Sequence, residues 1–235
     1  MKFSKPLEAT QLKKRYKRFL ADVVHPELGE ITVHCPNTGS MKNCWQEGWT
    51  AWILDSENPK RKYLYTWVLS ENFSGEFIGI NTHFANEVVY EGIELGKVKE
   101  LKHYSQIKKE VKYGDENSRI DILLTDETDK KTFIEVKNVT LLEADGIGYF
   151  PDAVTTRGQK HLRELIKMKR DGHRAVLFFL VQHSGISKVK VAKHIDAKYA
   201  DLLKEAIESG VEVLAYATIM TPVSLEISKR VEFQL

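Results

Sequence analysis

The sequence predicts two folded units of α+β class: a small all-β barrel over residues 1–82 and an α/β domain over residues 83–235. Three observations predict it. Short apolar stretches separated by turn clusters fill the first part, and all four tryptophans, Trp45, Trp49, Trp52 and Trp67, lie there. From Asn81 onward, segments with helical and strand periodicity alternate instead, the pattern of an α/β layer structure.

In the first part the stretches Phe19–Val24, Ile31–His34, Trp49–Leu54, Tyr63–Leu69 and Glu76–Ile80 read as five strands, divided by clusters such as His25-Pro26-Glu27-Leu28-Gly29 and Asp55-Ser56-Glu57-Asn58-Pro59. Five short strands in so few residues fit an OB-fold-like barrel, whose strand face often takes oligonucleotides, although an SH3-like barrel fits the same count. The loop Pro36-Asn37-Thr38-Gly39-Ser40 is rich in turn formers.

In the second part, Thr82 is placed to cap a helix over Phe84–Glu91, and Ile107, Lys109, Val111 and Tyr113 alternate with charged residues as a strand. After a turn at Gly114-Asp115-Glu116-Asn117, Ile120–Leu124 and Thr132–Lys137 read as two apolar strands interrupted by charge. Thr156 followed by Gln159 resembles a capping box opening a helix to about Arg170, with Gly172 as its stop. Ala175–Val181 reads as a buried parallel strand, Asp196–Ser209 as a helical region and Val211–Ile219 as another strand. His183, His194 and Asp196 are polar residues for which loop or cap duty is the expected role.

Composition excludes some functions. The chain has 235 residues and a formal charge of +2, so it carries no uniformly basic coat. The longest apolar run, Ala175–Val181, is far short of the roughly 20 residues that span a bilayer, and the N-terminus shows no apolar signal segment, so a cytoplasmic protein is expected. Cys35 and Cys44 match no zinc spacing, and two buried thiols in a reducing compartment are expected. Charge is nevertheless concentrated locally. In the first 20 residues Lys2, Lys5, Lys13, Lys14, Arg15, Lys17 and Arg18 face Glu8 alone, and Tyr16 and Phe19 are interleaved with the densest cations. Such a segment can grip phosphates and stack on bases, or form a strand edge kept solvated by lysines.

The sharpest chemical signal lies in the two charged strands. Side chains alternate across a strand, so Glu135 and Lys137 share one face while Ile134 and Val136 share the other. Asp121 lies 14 residues before Glu135, a separation suited to a hairpin that brings the carboxylates together. Two carboxylates and a nearby main-chain carbonyl, such as that of Val136, make an oxygen-rich site for Mg²⁺, and Lys137 can assist a bound water or a phosphate. The spacing D-x13-E-x-K is a loose PD-(D/E)xK nuclease signature; the alternative is a buried salt bridge between these residues. The first turns of the later helix carry Arg157, Lys160 and His161 near its positive end, a phosphate contact.

Taken together, the segments Arg15–Val23, His34–Gly39, Arg61–Tyr63 with Thr66-Trp67, Val111–Gly114, Ser118–Asp121, Glu135–Leu141 and Tyr149–Leu162 resemble the sugar fermentation stimulation protein A (SfsA) family over essentially the whole chain. Asn138 stands where a serine is expected in many relatives. The resemblance implies an N-terminal OB-fold domain, a PD-(D/E)xK nuclease-like domain, sequence-non-specific DNA binding and a regulatory link to sugar (maltose) metabolism. By position it implies Asp121, Glu135 and Lys137 as the triad, with Glu110 and Glu91 as further carboxylates for Mg²⁺ or Mn²⁺ and Gln159 and Lys160 as substrate contacts. The expected DNA contacts are Lys13, Lys14, Arg15, Lys17, Arg18, Arg157, Gln159, Lys160 and His161. DNA is the expected partner, with no membrane and no small-molecule cofactor; a homodimer is compatible. Two function classes follow: a DNA-binding regulatory protein, and a Mg²⁺-dependent DNA endonuclease.

Overall fold

The computed structural model describes residues 1–116 and 118–235. Asn117, assigned above to a turn, lies outside the described residues. The first domain contains β1 (Glu8–Tyr16), β2 (Leu20–His25), β3 (Gly29–His34), β4 (Thr50–Asp55), β5 (Tyr65–Glu71) and β6 (Phe77–Gly79). They pair in the order β3-β2-β1-β4-β5-β6, and a parallel bridge from His34 to Thr66 joins β3 to β5 and closes a five-stranded barrel. The strand count agrees with the sequence but the membership does not. The charged segment Glu8–Tyr16 is a barrel strand that buries Thr10 and Leu12 while its lysines face water, and β6 hangs on β5 outside the closure. The barrel core gathers Leu12, Val23, Val33, Ile53 and Trp67 around the thiols of Cys35 and Cys44, which are both free and buried.

The second domain runs α1 (Phe84–Glu94), β7 (Gln106–Tyr113), β8 (Ser118–Thr125), β9 (Lys131–Val139), β10 (Leu141–Ala144), β11 (Ile147–Phe150), α2 (Thr156–Arg170), β12 (Arg174–Val181), β13 (Lys188–Val191), α3 (Ala197–Glu208), β14 (Glu212–Met220), β15 (Leu225–Arg230) and β16 (Glu232–Gln234). A six-stranded sheet of order β15-β14-β12-β9-β8-β7 forms the centre, parallel through β9, β12 and β14. α1 covers one face, packing Val88, Val89 and Ile93 over Ile122, Ile134 and Phe178. α2 and α3 cover the other, packing Leu162, Leu165 and Leu203 over Phe133, Leu177 and Phe179. With both faces covered, β12 is apolar from Ala175 to Val181, as predicted. β10, β11, β13 and β16 form a second small sheet that the sequence pattern does not reveal, because strands of three or four residues are too short to show a period.

Two caps differ from expectation. His83, not Thr82, occupies the N-cap of α1 and makes no side-chain cap bond; the Asn81 side chain accepts from the His83 N–H instead. In α2 the cap is Thr155, whose hydroxyl accepts from the Gly158 N–H, so Thr156 is already helical and Gln159 donates to the buried Asp196.

The domains share an extensive border. The Gly79 N–H donates to the Gln182 carbonyl, Ser40 Oγ donates to Asp152 Oδ2 at 2.7 Å and Lys42 pairs with Glu143 at 2.9 Å. Residues before β1 bond to the other domain as well, through Phe3 to Val223 and Leu7 to Pro222.

The turn joining β7 to β8 is fixed from α2. The buried Glu164 carboxylate accepts from the N–H groups of Asp115 and Glu116, at 3.2 and 2.6 Å. Gly114 has φ +66°, and a Cβ there would fall on that carboxylate. Gly114→Ala is therefore expected to lower stability by about 2–3 kcal/mol. Urea unfolding checks this, and wild-type stability would show that the clamp carries no weight.

Candidate metal site at a strand fork

β7 and β8 invert their faces part-way along. Ile107 of β7 packs on the α1 side and Lys109 reaches Glu87 of α1, yet Val111 and Tyr113 pack on the α2 side. Residues two apart normally share a face, so the strand must flip between them. It does so at Glu110, whose φ is +55°. The ladder pairs Lys109 with Ile122 and Val111 with Ile120, which puts Asp121 directly across from this inversion. β8 flips with it, Ile122 lying on the α1 side and Ile120 on the α2 side.

At the same point β8 leaves β9. Their pairing runs from Thr125–Lys131 to Ile122–Ile134 and stops, while β9 continues beside β12 to Val139. The fork would strand the Val136 N–H, and Asp121 repairs it: Oδ2 accepts from that N–H at 2.7 Å, and Oδ1 accepts from Asn86 Nδ2 of α1 at 2.9 Å. Burial first, and then the charge of Glu135, push the Asp121 carboxyl up to about 6, against the lowering effect of the Val136 bond and Lys137.

Glu135 is 1% exposed. Its Oε1 accepts from Lys137 Nζ at 2.6 Å and contacts His161 Nδ1, which itself lies 3.1 Å from Lys137 Nζ. Burial pushes the Glu135 carboxyl up, but Lys137 and His161 outweigh it and hold the group below its ordinary range. Its second oxygen, Oε2, is buried with no partner among the described residues, as are the hydroxyls of Tyr113 and Ser118. A buried carboxylate oxygen left unbonded is costly unless something positive meets it.

Asp121 and His161 line a polar cleft of about 520 Å³ with Glu110, Lys112, Ser118, Arg119, Arg157 and Lys160. A second lobe of about 420 Å³ shares Glu110, Asp121 and Arg157 and continues past Thr82, His83, Asn86, Glu87 and Lys109. The structure thus gathers Asp121, Glu135, Lys137, Glu110, Arg157, Lys160 and His161 around one fork. It does not bring Glu91 there: that carboxylate binds the Met1 ammonium, one turn of α1 farther on, and Glu87 lines the cleft instead. Gln159 is engaged by Asp196, which also caps α3 through the Tyr199 N–H. His161 is turned inward on Glu135 with a side chain 7% exposed. His194 pairs with Glu143, and His183 accepts from the Gly185 N–H, so these two and Asp196 serve separate local roles.

On the barrel, Arg15 is spent internally, donating to the carbonyls of Arg18, Asn37 and Gly39. Lys14 pairs with Asp22 at 3.3 Å, and Lys13 lies 4.0 Å from Glu47. Lys17 and Arg18 form the exposed turn between β1 and β2, both with positive φ. Asn86 and Glu87 were missed by sequence reading. Their only signal is position, one turn into the helix that follows the barrel.

Among the described residues no three His, Cys, Asp or Glu side chains converge as a ready metal cage. The carboxylates fit a hard cation nonetheless, because Asp121 and Glu135 supply oxygen donors and Glu135 Oε2 is left unmatched. Asp121 and Glu135 would hold it, with water and substrate oxygens completing the shell.

Comparison with known proteins gives the same outline. Residues 83–224 match the family described as the sugar fermentation stimulation protein RE domain, and residues 14–80 match the SfsA N-terminal OB domain. The chain is 60% identical over 222 residues to a sugar fermentation stimulation protein homolog of Shewanella frigidimarina, covering 94% of each chain. It is 57% identical over 225 residues to the homolog of Shewanella denitrificans, again covering 94% of each. It also superimposes on SfsA of Pyrococcus furiosus, solved in complex with Ca²⁺, with a TM-score of 0.87 and 28% identity over 100% of this chain and 98% of that one.

The raised Asp121 pKa has a consequence for stability. An acid held above its unfolded value of 3.8 binds its proton more tightly in the fold, so its contribution is full below that value and lost as the pH rises through about 6. At neutral pH the ionised form then costs about 3 kcal/mol. Asp121→Asn keeps one acceptor for Val136, and Asn86 can turn its own amide oxygen to the new NH₂. It is expected to stabilise the protein by up to about 3 kcal/mol near pH 8 and far less near pH 4. Urea unfolding at the two pH values measures this; destabilisation at both would contradict the burial argument.

Proposed function

The chain belongs to the sugar fermentation stimulation protein family, and from that premise we propose that it binds DNA without sequence preference and holds a divalent cation, Mg²⁺ or Mn²⁺, at a PD-(D/E)xK-type site against the bound phosphates. The observation that carries the proposal is the fork, where Asp121 lines a cleft walled by Arg157, Lys160 and Lys112 and the buried Glu135 keeps one carboxylate oxygen unmatched. Carboxylates repel a phosphodiester unless a cation lies between them, and the cleft's basic residues supply the remaining attraction. The SfsA of Pyrococcus furiosus was solved in complex with Ca²⁺, a hard ion of the same class.

The barrel supports the DNA reading through Lys17 and Arg18 at its exposed turn. We assign the protein to the cytoplasm, and no helix among the described residues is long and apolar enough to cross a membrane. A regulatory effect on sugar (maltose) metabolism follows, on this reading, from DNA binding. The protein needs no small-molecule cofactor for it, and a homodimer is compatible.

A second reading, Mg²⁺-dependent endonuclease activity, is favoured by Lys137, whose Nζ sits 2.6 Å from Glu135 beside the proposed cation site. A bound divalent ion supplies Lewis-acid activation of water and phosphate. Asp121 and Glu135 would hold the ion, Lys137 would keep a positive charge beside Glu135, and Arg157 and Lys160 in the cleft would orient the phosphodiester.

DNA affinity is expected to fall linearly on a log–log salt plot, by about 0.9 per duplex phosphate contacted; a flat plot would contradict the binding proposal. If hydrolysis occurs, Glu135→Ala and Lys137→Ala are expected to slow Mg²⁺-dependent cleavage by about a hundredfold or more. Equal cleavage by all three proteins would mark the activity as a contaminant.

A further inference from the structure

The central sheet holds a second cavity, at the end of β9 opposite the fork, where β9 and β12 begin with Thr132 paired to Arg174. Its volume is about 450 Å³, against about 520 Å³ for the cleft, and the two share no lining residue. Three segments enclose it: the stretch from Glu100 to Tyr104 ahead of β7, the hairpin between β8 and β9, and the passage from α2 into β12.

The charges of the lining do not balance. Lys102, Lys130, Lys169 and Arg174 face two acids, Glu100 and Asp126, and both acids are already engaged. Glu100 accepts from the Tyr216 hydroxyl at 2.5 Å and from Arg230 Nη1 at 2.6 Å, while Asp126 Oδ1 accepts from Thr128 and from the Lys130 N–H within its own turn. Arg174 is matched by Glu212 through two bonds of 2.8 and 2.7 Å. Lys169 runs along Gly210 just past α3, whose carbonyl end meets part of its charge. Lys102 and Lys130 are exposed, and neither has a carboxylate within 4.0 Å among the described residues. A concave surface dominated by one sign concentrates its potential and draws in counter-ions.

The floor is of another kind. Leu124 is buried, Tyr104 is half-buried against the core beneath α1, and the His173 ring lies 5.3 Å from that of Phe133. A ring or chain can lie on such a floor while a charged end reaches the lysines. A bare anion, filling roughly the space of a few waters of about 30 Å³ each, would leave most of the cavity empty. A phosphate monoester suits two ammonium groups, since it carries about −1.5 to −2 charge near neutral pH and three free acceptor oxygens.

We propose that this cavity is a second ligand site, for a small organic phosphate whose phosphate group meets Lys102 and Lys130 and whose body rests on Tyr104, Leu124 and His173. The site stands apart from the DNA-binding reading of the fork and does not depend on it.

The test is isothermal titration calorimetry of the whole chain, in EDTA so that no cation bridges phosphate to the fork, with adenosine monophosphate, glucose-6-phosphate and inorganic phosphate as probes. At least one ester is expected to bind with a Kd of roughly 1 mM or tighter, and at least about tenfold more tightly than inorganic phosphate. Which ester binds separates a nucleotide from a sugar phosphate. Lys102→Gln/Lys130→Gln is expected to weaken that ester about tenfold or more, while affinity for a labelled duplex shifts less than about twofold. Arg157→Gln/Lys160→Gln, in the cleft, is expected to leave ester binding within about twofold of wild type. Binding of neither ester, or loss of ester binding in the cleft variant instead, would overturn the proposal. Inorganic phosphate binding as tightly as the esters would also overturn it, as an adventitious ion only. A parallel loss of duplex affinity in the lysine variant would make the cavity part of a nucleic-acid surface and overturn it as well. Both lysines are exposed, so the fold should hold, and an unchanged melting curve verifies it. Should the double variant melt early, Lys130→Gln alone, expected to weaken the ester about threefold, replaces it under the same criteria.

Discussion

The hydrogen bond from the Val136 N–H to the Asp121 carboxylate is the contact on which the site depends. A sheet strand that leaves its neighbour strands backbone donors, and a buried unpaired N–H costs about as much as a lost hydrogen bond. By accepting that donor, Asp121 lets β8 diverge from β9 without an unsatisfied gap. The same divergence opens the cleft. The carboxylate that repairs the fold is thus also the one best placed to meet a cation, and its raised pKa shows that the repair is made at electrostatic cost.

Neighbouring elements are arranged to hold this geometry. Glu110 takes the positive φ that inverts β7 opposite Asp121, Asn86 of α1 braces the second carboxylate oxygen, and Glu164 of α2 clamps the turn that joins β7 to β8. Glu135 is braced differently, by Lys137 and His161 on one oxygen, which leaves the other without a partner among the described residues. A divalent ion entering here would compete with Lys137 and His161 for Glu135 rather than find it bare. That competition sets how tightly the ion is held.

Much of this was legible in the sequence. Alternation placed Glu135 and Lys137 on one face and Ile134 and Val136 on the other, as the two cores on either side of the sheet show. The 14-residue separation of Asp121 from Glu135 fitted a hairpin, which is present. Periodicity could not foresee the inversion at Glu110, because a single residue with positive φ leaves no trace in an apolar pattern and any non-glycine residue is a poor guess for it. The resemblance pointed to Glu91 rather than Glu87: one turn of helix separates the two, and only the packing of α1 decides which faces the fork. The strand Glu8–Tyr16 was hidden because its lysines mask the inward pair Thr10 and Leu12. His161 looked like a phosphate contact at a helix start, whereas α2 is rotated so that its ring meets Glu135.

The most direct measurement is a crystal structure of the protein grown with Mn²⁺ and read by anomalous scattering. The account predicts a single strong peak in coordination distance of Asp121 and of Glu135 Oε2. An empty fork in crystals that hold Mn²⁺ elsewhere, with Glu135 still bound by Lys137 and His161, would contradict it.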